Sequence, residues 1–63
     1  MEAIYEKIHN QRRKKGMTQI KLSELTGVSN VTICKLEKGF DINFKALKKI
    51  CDVLGMKIEV VEI

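Results

Sequence analysis

TGVSNVTICKLEKG, residues 26–39, decides how this chain folds. Gly27 interrupts an apolar pattern, Ser29 follows it, and helical spacing resumes at once. A glycine just past a helix end adopts left-handed backbone angles without a Cβ penalty. A serine before the next helix accepts a hydrogen bond from one of the exposed N–H groups of its first turn. One helix therefore stops and another starts across Thr26 to Val28. Two short helices joined by three or four residues with a glycine between them make a helix-turn-helix.

The same sequence of signals recurs on either side. Gly16 is followed by Thr18 and Gly39 by Asn43, while Gly55 follows a fourth helical stretch. The expected helices span 2–15, 19–26, 30–38 and 44–54. Ile4 and Ile8 share a face of the first, Leu22 and Leu25 of the second, and Ile33 and Leu36 of the third. In the fourth, Leu47, Ile50, Cys51 and Leu54 form a stripe, with Lys45, Lys48, Lys49 and Asp52 outside it. Helices this short are unstable alone and must pack on one another. The expected fold is mainly α: a compact four-helix domain over 1–55, with a C-terminal element over 56–63.

That element changes period. In MKIEVVEI, Met56, Ile58 and Val60 alternate with Lys57 and Glu59, the two-residue repeat of a β-strand. The alternation slips at Val61. A lone strand leaves its backbone groups unpaired, and the chain offers no second one. The same strand from a second copy supplies a partner, giving an antiparallel ribbon about a two-fold axis. Met56, Ile58 and Val60 are its expected dimerisation residues.

Composition narrows the function. The 63 residues carry twelve Lys and Arg against eight Asp and Glu, a net charge of +4. The basic residues cluster as Arg12 to Lys15, as Lys35 with Lys38, and as Lys45, Lys48 and Lys49, which suits a polyanionic partner. Cys34 and Cys51 are in no metal-ligand spacing and read as small packing residues. No apolar run approaches membrane-spanning length and no signal-peptide pattern opens the chain, so a cytoplasmic location is expected. No catalytic constellation is evident, and neither a metal nor a cofactor is expected. His9, alone on a polar face of the first helix, reads as a surface residue.

TQIKLSELTGVSNVTICKLEKG, residues 18–39, resembles the helix-turn-helix of the phage-repressor and Cro-like family, also called the xenobiotic-response-element family. The matches are Thr18, Gln19, Leu22, Gly27, Val28, Ser29, Ile33, Leu36, Glu37 and Gly39. LKKICDVLG, residues 47–55, is similar to the closing helix of that family, with Cys51 at a usual alanine position. Ser23 replaces a common alanine, and Phe40 falls where a polar residue is frequent.

The resemblance implies a lambda-repressor-like fold that binds double-stranded DNA, with the second helix of the motif in the major groove. It implies base-reading roles for Asn30, Val31 and Lys35. Asn pairs with adenine, Val meets a thymine methyl and Lys donates to guanine. Gln19, Ser29, Lys38, Asn43 and Lys45 are implied as contacts to the DNA backbone. Arg12 and Glu37 align with a structural ion pair, which withholds Arg12 from DNA and leaves Arg13, Lys14 and Lys15 exposed. The expected function is a transcriptional regulator, a repressor, that binds an inverted repeat as a homodimer. The final strand is also similar to HipB-type antitoxins, so the alternative is a subunit that holds a toxin and binds operator DNA as well.

Overall fold

The computed structural model describes residues 2–63. Four helices follow in order: α1 (Ile4–Lys14), α2 (Gln19–Thr26), α3 (Asn30–Glu37) and α4 (Phe44–Val53). Each of the last three opens on a side-chain cap that accepts from a first-turn amide: Thr18 from Lys21, Ser29 from Thr32 and Asn43 from Ala46. These bonds satisfy amides that have no partner inside the helix. α1 lacks such a cap, since Ala3 precedes it.

The helix ends are built as consistently. After α1, α3 and α4 the chain turns back on a six-to-one bond, from Met17 N–H to the Arg12 carbonyl, Phe40 to Lys35 and Met56 to Cys51. Such closures satisfy carbonyls left over at a helix C-terminus. At Gly39, φ is +95° and the Tyr5 ring packs 3.5 Å from where a Cβ would sit. The left-handed backbone alone excludes most side chains there.

α2 packs on both α3 and α4, and α1 packs on α3. Their shared core is Ile8 from α1, Leu22 from α2, Val28 from the turn, Ile33 and Leu36 from α3, and Ile50, Cys51 and Leu54 from the last helix and its end. Five of these, Ile8, Leu22, Ile33, Ile50 and Leu54, are fully enclosed. Burial of each such side chain contributes about 1.5–3 kcal/mol. This four-helix arrangement is the lambda-repressor-like, mainly α fold. Leu25 departs from the expected pattern: it is 48% exposed although Leu22 is enclosed. At three residues' spacing it lies about 60° off the centre of a stripe that α2 narrows to Leu22.

The tail also departs from expectation. Residues 56–63 hold no strand in the single chain, for the physical reason that a ladder needs a second strand to receive its hydrogen bonds. Met56 and Ile58 nevertheless pack against the core. Val60, by contrast, is 98% exposed.

Candidate nucleic-acid interface

The corner between α2 and α3 is braced from several directions. Gly27 takes φ +75°, ψ 4° as the C-cap of α2, and its amide donates to the Ser23 carbonyl. Thr26 Oγ1 donates to the Leu22 carbonyl at 2.8 Å and accepts from the Val28 amide at 3.1 Å. Ser23 Oγ donates to the Val28 carbonyl at 2.6 Å. Val28 itself is buried in the core. With the amide, carbonyl and side chain of Val28 all held, the turn fixes the direction in which α3 leaves. Ser23, at first sight a neutral replacement for alanine, is thus a strut of the turn.

α3 presents two faces. Ile33 and Leu36 enter the core, while Asn30, Val31 and Lys35 line its outward side, and Lys38 follows them at the helix end. Val31 is 63% exposed, an apolar side chain on the outward side of the helix. At the N-terminus, Ser29 Oγ accepts from the Thr32 amide at 3.1 Å and lies 2.8 Å from Thr32 Oγ1. One hydroxyl proton is consumed between Ser29 and Thr32, so one remains to be donated outward. Thr32, absent from the sequence expectation, thus forms a hydroxyl pair with Ser29 at the start of α3. Asn43 spends its Oδ1 on the Ala46 amide at 2.8 Å, leaving its amide nitrogen as the outward donor. Lys45 is exposed beside it.

Behind α3 lies a charged hub. Arg12 Nε and Nη2 reach the two oxygens of Glu37 at 2.7 and 2.9 Å, and Nη1 donates to the Met17 carbonyl at 2.7 Å. The pair is nearly dry, with side chains 9% and 4% exposed. Bidentate geometry of this kind is the strong form of the Arg–carboxylate bond. Each of the three nitrogens of Arg12 thus has a partner within the protein.

Two further donors converge on the same carboxylate. His9 Nδ1 lies 2.6 Å from Oε1, and Gln19 Nε2 lies 3.4 Å from it. A lone pair on Nδ1 would repel a carboxylate oxygen at that distance, so the ring carries its proton on Nδ1 and donates. His9 is therefore not an idle surface residue; nothing in its local sequence points to a partner 28 positions away. Burial pushes the Glu37 carboxyl up, but hydrogen bonds from Arg12, His9 and Gln19, with the Arg12 charge, outweigh it and hold the group below the usual carboxylate range. The hydrogen bond to Glu37 raises Arg12 despite its burial, helped by the carboxylate charge.

Gln19 thus stands at the start of α2 with one amide proton turned toward Glu37. Its second amide proton is left to donate elsewhere. Cys51 is buried, and burial, together with the Asp52 charge, pushes its thiol up, away from reactivity. Among the described residues there is no group of three or more His, Cys, Asp or Glu able to hold a metal. Among the same residues, no helix is long and apolar enough to cross a membrane.

The helix-turn-helix family matches over residues 8–61, which takes in all of α2, α3, α4 and the turn. The chain belongs to the phage-repressor and Cro-like branch of helix-turn-helix proteins, a family of DNA-binding transcription regulators. A search of curated proteins finds no significant match.

Proposed function

We propose that this protein is a sequence-specific repressor that binds an inverted-repeat operator as a homodimer. The observation that supports this most directly is the division of α3: Ile33 and Leu36 are buried while Asn30, Val31 and Lys35 lie on the outward side of one rigidly aimed helix. The outward three read base edges in the major groove. Gln19, the Ser29–Thr32 hydroxyl pair, Lys38, Asn43 and Lys45 grip phosphates around them and set the register of the helix. In the dimer, two such helices spaced about 34 Å apart meet successive major grooves on one face of the duplex. Met56, Ile58 and Val60 join the copies through paired tails.

Selection of bound sequences from random duplex DNA tests the reading, with wild type compared against a Gln19→Ala/Asn30→Ala/Lys35→Ala variant at several salt concentrations. A palindromic consensus that the folded variant loses is expected. A flat preference from the well-folded wild type refutes sequence-specific repression.

A second reading, an antitoxin-like subunit that holds another protein, draws on Phe40 and Phe44, each 61% exposed. Exposed aromatics of this size favour a protein partner. Co-purification of a stoichiometric partner that Phe40→Ser with Phe44→Ser abolishes would establish it.

A further inference from the structure

The tail runs between two hollows. One, of about 310 Å³, is floored by Ile4, Ile8, Met56 and Ile58 on the α1 side. The other lies toward Phe44 and is edged by the ion-paired Lys48 and Asp52. Along the tail, Lys57 Nζ lies 3.0 Å from Glu59 Oε1, placing these two side chains on one side of the chain. Met56 and Ile58 face the core on the other. Lys57 and Glu59 also edge the first hollow, so the tail carries the alternating sequence of a strand without its ladder.

We infer that a second copy of this chain seats its tail antiparallel on the α1 side, in the register that sets Ile58 opposite its own counterpart in the partner. This rests on the homodimer reading above and specifies it. Symmetry removes half of the registers. Cross-strand neighbours point to the same face of a ribbon, and a two-fold axis relating identical antiparallel strands stands perpendicular to it. A residue therefore pairs only with one an even number of positions away, or with itself.

Charge and polarity select among those that remain. Centring on Lys57 opposes two lysines, and centring on Glu59 opposes two glutamates. Centring on Val60 places Glu62 against Ile58. Centring on Ile58 pairs Lys57 with the partner's Glu59, and Met56 with the partner's Val60. The partner's Val60, otherwise 98% exposed, then enters the hollow beside Ile4 and Met56. A two-stranded ribbon alone is marginal, and this one gains its footing because its apolar face rests on both cores.

Lys57→Glu and Glu59→Lys test the register by sedimentation of the full chain, singly and mixed. Both side chains are largely exposed, so folding is expected to be intact by circular dichroism. Each variant alone is expected to weaken dimerisation about five- to thirtyfold, because two cross-strand pairs turn repulsive. An equimolar mixture restores wild-type strength. In the mixed dimer one tail carries acid at both positions and the other carries lysine at both, so each cross-strand pair again joins opposite charges. Val60→Asp weakens the dimer while sparing monomer stability. A Lys57→Glu chain that dimerises like wild type, or a mixture no tighter than its components, overturns the register and leaves the homodimer intact. A wild-type chain that stays monomeric at high concentration and on DNA overturns both.

Discussion

Nδ1 of His9 lies 2.6 Å from Oε1 of Glu37, on a carboxylate that Arg12 already holds through two nitrogens. Gln19 approaches the same oxygen from the start of α2. A single side chain at the end of α3 therefore collects α1 and α2 around it, and the aim of α3 depends on that carboxylate as well as on the turn.

Breaking the pair from either side is expected to be severe. Arg12→Ala or Glu37→Ala leaves a buried charge without its partner, at about 3–5 kcal/mol. A domain of 63 residues has a total stability of only about 3–9 kcal/mol. Urea titration should find the midpoint of either single variant sharply lowered. Replacing both partners by apolar residues, as in Arg12→Met/Glu37→Leu, should cost far less than the two losses added together.

Acid should unfold the protein through Glu37. Its folded carboxyl is held below the ordinary value of 4.5, so folding binds fewer protons there than the unfolded chain does. The sign follows: the contribution is complete above pH 4.5 and is lost as pH falls through the lower, folded value. Thermal melts from pH 6 downward should show stability falling below about pH 4.5, and Arg12→Met/Glu37→Leu, which removes the carboxylate without orphaning Arg12, should flatten that limb. In His9→Ala, which removes one of the bonds depressing the group, the acid loss should be smaller and finish at a higher pH.

The corner gives two separable predictions. Ser23→Ala orphans the Val28 carbonyl and should lower stability by about 0.5–1.5 kcal/mol. Gly27→Ala meets no atom within 4 Å, yet φ is +75°, so its loss of about 1–2 kcal/mol should come from backbone strain alone. Chemical denaturation measures both, and their effects should fall short of additivity because the same turn absorbs them.

On DNA, the two classes of contact should separate. Asn30→Ala and Lys35→Ala should each cost about 1–3 kcal/mol on the selected sequence and relax the preference at one base position. Lys38→Ala should weaken all sequences alike and lower the salt slope by about one. Titration of matched and mismatched duplexes at several salt concentrations distinguishes these outcomes. A Lys38→Ala chain with an unchanged salt slope would remove that residue from the phosphate contacts.

Much of this was legible locally. Glycine followed by Thr18, Ser29 or Asn43 announced each helix start because a cap bonds an amide only three residues ahead. The buried face of α3 was legible for a similar reason, since Ile33 and Leu36 follow the helical period. What stayed hidden was decided across the fold. His9 meets Glu37 over 28 positions, and no spacing rule spans such a gap. Ser23 looks like a polar alanine until the Val28 carbonyl is seen to fold back onto it. Leu25 satisfies the helical period yet stays half exposed, because nothing packs over it. The strand expected in the tail is absent from the single chain, where no second strand lies beside it to receive its hydrogen bonds.

The split between the two faces of α3 bears on how such a protein changes over time. Asn30, Val31 and Lys35 contribute nothing to the enclosed core, so their replacement leaves the scaffold close to its original stability. The three residues proposed to read bases are thus among those the fold constrains least. Glu37, Arg12 and Val28 have less latitude, because a single change there disturbs the buried pair or the core that holds α3 in place.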